Sequence, residues 1–269
     1  MLREIGLKKI DDDGLTKRQD AVIRAVRESG FASIESMAER LGVSAQTIRR
    51  EVIELSRRNL LERYHGGAGL PPGTDRLAYT NRRVRHADEK RRVAAAVARD
   101  IPDNSSVFMD IGTTVEAVCE ALVGHRGLRI ITNHIVVASI FCENTDFEIV
   151  LAGGMVRNRD RAVTGEATAG FLRDFRVQYG VFGIGAIDHD GQMLDYDYRD
   201  VQVSLVAMEI ARQRFVVVDG SKFHGDAMIR FAHVSEIDAL YTDAAPPADI
   251  AEHLSAGGVR LVVENDSEM

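Results

Sequence analysis

Cysteine is nearly missing from this 269-residue chain, which has only Cys119 and Cys142. Two thiols cannot build a disulfide framework or a four-cysteine zinc site, and they suit a reducing cytoplasm. Proline, at five residues, is too scarce for a collagenous chain. Long hydrophobic runs are missing as well. VAAAVA (93–98) falls far short of a membrane span, and the N-terminus lacks the apolar stretch a secretory signal needs. What is present, 45% hydrophobic and 28% charged residues, is ordinary globular usage for one large or two smaller domains and excludes a mostly disordered chain. Motifs for several chemistries are also lacking. There is no Gly-Lys-Ser/Thr phosphate loop, no Gly-x-Ser-x-Gly elbow and no His-x-x-x-His pair near cysteines or carboxylates. No catalytic residue and no structural metal are expected, and Cys119 and Cys142, in apolar helical patterns, are expected as buried thiols.

The net charge of −7 hides a division of the chain. Residues 17–92 carry 17 basic and 10 acidic side chains, whereas residues 93–269 carry 14 and 27. Such a split suits one module that meets a polyanion and another that does not, although compositional drift would give the same numbers. The pattern predicts a flexible extension at 1–16, a small helical module at 17–70, and a linker with the start of a connecting helix at 71–92. A larger module follows at 93–264, with a tail at 265–269. Pro71-Pro72-Gly73 and the basic cluster Arg82, Arg83, Arg85 mark the linker.

In the first module the apolar spacing predicts helices over roughly 17–29 and 34–41 and a third after Ser44, with Ser33 and Ser44 as N-caps. With Ile48 turned inward, Gln46 and Arg50 lie on the opposite face, flanked by Thr47 and Arg49 and extended by Arg57. Glutamine can bond an adenine edge and arginine a guanine edge or a phosphate. Helix, turn around Gly42, polar helix and a following strand-turn make a winged helix-turn-helix, with Arg63 and His65 on the wing. An ordinary solvated arginine face is the alternative. The segment RQDAVIRAVRESGFASIESMAERLGVSAQTIRREVIELSRRNLLERYHGGA (18–68) resembles the N-terminal signature of the DeoR family of transcriptional repressors, with Glu51 where the family usually has Asp. The resemblance implies double-stranded operator DNA as partner and Ser44, Gln46, Thr47, Arg49, Arg50, Arg57, Arg63 and His65 as the reading set.

Beyond residue 93, short apolar runs alternate with amphipathic stretches. The runs are SVFMD (106–110), LRIIT (128–132), FEIVLA (147–152), YGVFGIGA (179–186), RFVVVD (214–219), DALYTD (238–243) and VRLVV (259–263). This predicts an α/β domain whose mostly parallel sheet is covered by helices. Ligands of such sheets gather at the carboxyl ends of strands. Asp110, Gly112, Thr113 and Thr114 follow one strand and open a helix, which describes a phosphate cradle. Thr132 and Asn133 end the next strand, Gly153 and Gly154 another and Gly183 a fourth, while Lys222 follows RFVVVD and could neutralise a phosphate. Turn-making glycines and a solvated lysine are the plainer alternative. Asp195, Arg199 and Asp200 could bind the hydroxyls of a ligand, and Asp200 could instead cap a helix or serve catalysis.

The same segments resemble the DeoR family's C-terminal sensor domain, which is similar in fold to ribose-5-phosphate isomerase and the CoA transferases. IPDNSSVFMDIGTTVEAV (101–118), TGEAT (164–168) and VVDGSKFHGDAMI (217–229) are similar to one subgroup, with Gly220 and His224 departing from its usual residues. The resemblance implies no cofactor and a small phosphorylated polyol or sugar as effector, glycerol 3-phosphate first. It also implies a cytoplasmic homodimer or homotetramer with no membrane partner. The rival expectations are a regulator answering another sugar phosphate and a sugar-phosphate isomerase carrying an accessory module.

Overall fold

The computed structural model describes residues 15–265, apart from positions 30, 59, 65, 70–78, 80–81 and 226. The expected extension up to residue 14, wing residue His65, the Pro71-Pro72-Gly73 stretch of the linker and tail residues 266–269 lie outside the described residues. The chain divides into two compact units, residues 1–74 and 75–269.

In the first unit α1 (Lys17–Ser29) leads into β1 (Phe31–Ser33), α2 (Ile34–Leu41) and α3 (Ala45–Arg57). Ser33 and Ser44 cap the second and third helices, accepting from the backbone N–H groups of Ser36 and Thr47. Gly42 turns between them at φ +62°, a conformation that costs glycine nothing. Val22, Ile23, Val26, Met37, Ile48, Val52 and Leu55 are buried together as the core of this unit. Arg18 of α1 pairs with Glu51 of α3 at 2.5 Å. Strands β2 (Glu62–Tyr64) and β3 (Gly67–Gly69) form an antiparallel hairpin, and β1 completes a sheet of order β1-β3-β2. All three strands are only three residues long, too short to show alternation.

Helix α4 (Ala87–Asp100) opens the main body of the second unit. Parallel strands β4 (Ser106–Met109), β5 (Arg129–Thr132) and β6 (Glu148–Leu151) alternate with α5 (Thr113–Leu122) and α6 (Ile135–Asn144). A hairpin, β7 (Met155–Val156) and β8 (Val163–Thr164), and α7 (Glu166–Leu172) lead to β9 (Val177–Gly183). A small antiparallel sheet of β10 (Ala186–Ile187), β11 (Gln192–Asp195) and β13 (Ile229–His233) surrounds α8 (Tyr198–Ile210) and β12 (Ala211–Val217) in sequence. Strand β14 (Ala239–Thr242), α9 (Ala248–Ala256) and β15 (Arg260–Val263) finish the unit. Among the described residues the main sheet has seven parallel strands in the order β15-β14-β12-β9-β4-β5-β6.

The strands read as continuous apolar runs because both faces of the sheet are covered. Val107, Met109, Val181, Phe215 and Tyr241 pack with Val93, Val97, Val115 and Phe141 from α4, α5 and α6. Phe108, Phe182, Val216 and Leu240 face the other way, against Val201, Val206, Ile250 and Leu254 from α8 and α9. The strand order reverses between β4 and β9, so the crevice at their carboxyl ends is the switch point where open α/β sheets bind ligands.

Candidate functional site

In the first unit, α3 buries Ile48 and exposes Gln46, Arg49 and Arg50 on its other side. Their neighbours differ. Arg49 reaches Glu35 of α2 at 3.2 Å, and Arg57 lies 4.0 Å from Glu54. Ser44 and Thr47 are half-committed to the cap, their hydroxyls 2.9 Å apart. Among the described residues neither the Gln46 amide nor the Arg50 guanidinium has an intramolecular partner, so both remain available to a base edge. Arg63 is exposed on β2, beside the turn at Gly66.

In the second unit, Gly112 sits at φ +127° before α5, a conformation strained for any other residue. A side chain on Gly183 would meet the Ile111 carbonyl at 2.9 Å, so β9 approaches the 110–113 loop this closely only with glycine there. The first turn of α5 thereby opens at the β4–β9 switch point with its backbone N–H groups unclaimed by a side-chain cap. Lys222, half-buried after β12, stands over the same end of the sheet. Burial pulls its ammonium below the ordinary lysine range. Asp219 and Asp195 oppose that pull, and the nearby Arg82 and Arg85 charges add to it. No hydrogen bond or ion pair holds the Lys222 ammonium among the described residues.

In the sequence those arginines read only as a linker cluster. The structure places Tyr79, Arg82 and Arg83 against α5. Thr113 Oγ1 donates to the Arg82 carbonyl at 3.5 Å. The buried Lys90 ammonium donates to the carbonyls of Arg82 and Arg85, and burial lowers it to about 8. Tyr79 donates to Glu116, and Arg83 Nε lies 3.4 Å from the other oxygen of that carboxylate. Glu116 is 1% exposed, and burial pushes its carboxyl up despite these partners.

Other predicted residues have internal partners. Asp110 is fully buried, accepting from Ser204 Oγ and Ile111 N at 2.8 Å each, and burial pushes it up to about 8. Thr132 donates to the Met109 carbonyl and accepts from His134 N. Asn133 donates to the Val163 carbonyl, leaving its buried Oδ1 without a partner among the described residues. Thr114 is buried. Gly153 and Gly154 follow β6 at the edge of the sheet, two strands from β4. The Gly153 carbonyl accepts from Thr168, and a side chain on Gly154 would strike that hydroxyl at 2.1 Å.

Asp200 is not the cap of α8. Asp197 caps it, accepting from Arg199 N at 2.9 Å. Asp200 is buried in a two-oxygen pair with Arg157, at 2.9 and 2.7 Å, and the same guanidinium holds Asp160 and Asp197. Burial pushes Asp200 up to about 7 against the pull of Arg157. Asp195 is half-buried and its carboxyl is raised by burial, whereas Arg199 is exposed. Cys119 is buried as expected, but Cys142 is exposed. Helix α6 is apolar nearly all round, so its sequence does not mark which face turns inward.

Both units match known families. The DeoR-like helix-turn-helix domain matches residues 18–73, and the DeoR C-terminal sensor domain matches residues 85–244. The chain is 42% identical over 91% of its length to the glycerol-3-phosphate regulon repressor of Escherichia coli K12, covering 98% of that protein. It is 41% identical to the repressor of the same name from Haemophilus influenzae, with 92% of this chain and 96% of that protein covered. The Escherichia coli repressor CsqR is 37% identical, with 93% and 95% covered. Among solved structures, ribose 5-phosphate isomerase A from Neisseria gonorrhoeae is similar at a TM-score of 0.37 and 16% identity, over 50% of this chain and 52% of that one. Matched by family in both units and by repressors along nine-tenths of its length, this chain belongs to the DeoR family of DNA-binding transcriptional repressors.

Proposed function

We propose that this repressor releases its operator when a small phosphorylated polyol, glycerol 3-phosphate first, binds at the β4–β9 switch point. One observation supports the reading: the Lys222 ammonium, within electrostatic reach of Arg82 and Arg85, follows β12 at the same end of the sheet as the glycine-permitted N-terminus of α5, a cationic setting suited to a phosphate. Phosphate oxygens would take N–H groups of Gly112 and Thr113, with Lys222 as counter-charge and Asp195 placed for a polyol hydroxyl. The relatives named for the glycerol-3-phosphate regulon favour that ester over a larger sugar phosphate.

The reader spans 17–70 and the sensor 93–264, and residues 71–92 transmit between them. A phosphate that claims the Thr113 hydroxyl takes it from the Arg82 carbonyl, and it draws Arg82 and Arg85 toward itself. Either effect moves the segment that continues into the reader. The ligand must favour the released state, because equal affinity for both states shifts nothing. On operator DNA, Gln46 and Arg50 read bases while Arg49, Arg57, Arg63 and the cap residues Ser44 and Thr47 meet the backbone. A single winged module buries little DNA surface, so two or four copies acting on repeated half-sites complete the assembly.

A thermal-shift panel of phosphorylated metabolites tests the effector. A ligand at 100 times its dissociation constant stabilises the folded state by about 2.7 kcal/mol. Glycerol 3-phosphate is expected to give a large upward shift and glycerol none, and no shift from any phosphate ester would refute the site.

A further inference from the structure

Four of the eight histidines, dispersed in sequence, gather around the β10–β11 turn: His189, His224, His233 and His253. His233 is fully engaged, Nδ1 with Ser235 Oγ at 2.7 Å and Nε2 with the Asp190 carbonyl at 2.8 Å. His189 and His224 differ. Their rings stack with centroids 3.9 Å apart and planes 28° from parallel, and both aim a nitrogen at one carboxylate. His189 Nδ1 lies 3.0 Å from Asp249 Oδ2, and His224 Nε2 lies 2.9 Å from the same oxygen. The three candidate donor atoms lie within 4.8 Å of one another.

The two rings turn separate N–H groups on the same carboxylate oxygen. A single dication in their place satisfies two imidazoles and a carboxylate at once. Nitrogens bound to one such ion at about 2.0–2.1 Å lie roughly 3.3 Å apart, inside the 4.8 Å that bounds the three donor atoms here, and the stacked rings turn to share it. We propose that His189, His224 and Asp249 form a binding site for one divalent transition-metal ion of the Zn2+, Co2+ or Ni2+ class. Two imidazole ligands and one carboxylate select such ions over Mg2+ and Ca2+, which prefer oxygen. Water fills the remaining positions of this surface site. The ion joins three separate segments: the β10–β11 turn, the loop two residues beyond Lys222, and the first turn of α9.

The test uses the full-length chain without a histidine tag, carrying Cys142→Ser to remove the exposed thiol, and stripped with chelator. Calorimetric titration with Zn2+ and visible absorption with Co2+ are expected to show one bound ion with imidazole-type ligand-field bands. His189→Gln, Asp249→Asn and His224→Gln are each expected to weaken binding at least as much as the roughly 10–100-fold lost when outer-shell partners are removed. The His189 side chain is 73% exposed, so its substitution reports on the ion and not on folding. Absence of Co2+ bands, or Zn2+ affinity unchanged in His189→Gln, overturns the site. This site is independent of the effector reading, since Zn2+ and Co2+ are titrated with no phosphate ester present.

Discussion

The hydroxyl of Tyr79 donates to the buried carboxylate of Glu116 on α5. A residue of the segment leading to the reader is thus fastened to the helix whose first turn forms the proposed phosphate site. Tyr79→Phe removes that hydrogen bond and little else. It is expected to keep effector affinity near the parent value while shrinking the loss of operator affinity that the effector causes, out of a coupling of about 1–3 kcal/mol. Calorimetry with glycerol 3-phosphate and operator titrations measure the two halves, and a full response in Tyr79→Phe would remove this contact from the path.

Arg50 stands on α3 with no partner among the described residues. Arg50→Ala is expected to cost roughly 1–3 kcal/mol of preference for the operator over unrelated DNA. Its effector affinity should be unchanged. Footprinting that matches the parent protein's would contradict α3 as the reading helix. Arg63→Ala, on the wing, is instead expected to weaken all DNA binding evenly and to flatten its salt dependence.

Arg157 holds Asp160, Asp197 and Asp200 at 2.7–2.9 Å. Arg157→Met strands buried carboxylates and is expected to cost about 3–5 kcal/mol of folding stability, read from denaturant unfolding. Unchanged stability together with lost effector binding would return Asp200 to the ligand site.

Asp110 gives a pH signature. Its carboxyl has an ordinary value of 3.8 and is raised to about 8 by burial, so between those values the folded chain keeps a proton the unfolded chain has lost. Stability contributed by that group therefore falls as pH rises through the window, at up to about 1.4 kcal/mol per unit. Asp110→Asn does not titrate, so its unfolding midpoint is expected to gain on the parent protein between pH 5 and 8. Parallel pH profiles for the two proteins would show that Asp110 is ionised throughout.

Much of this architecture is legible in the sequence because it rests on local rules. Ser33 and Ser44 announce their caps, the burial of Ile48 fixes which face of α3 is exposed, and seven apolar runs fall on the seven strands of the sheet. What escaped detection depends on contacts between distant residues. Arg157 meets Asp200 across 43 positions and Tyr79 meets Glu116 across 37, and no periodicity encodes either pairing. The same limit applies to Asp110 and Thr132. As strand-end polar residues they suit a ligand, yet their oxygens are taken by Ser204, Met109 and His134. Arg82 and Arg85 carry a visible charge cluster, but only tertiary packing brings it to Lys222.

The most direct test of the account is operator binding followed by fluorescence anisotropy as glycerol 3-phosphate is added, for the parent protein and for Lys222→Met. The account predicts that the ester dissociates the parent protein from its operator. Lys222→Met should bind the operator equally well but require on the order of 10- to 100-fold more ester, the loss expected for one charge-assisted contact. If the parent protein holds its operator equally tightly with and without the ester, or if Lys222→Met responds at the same concentration, the central claim is contradicted.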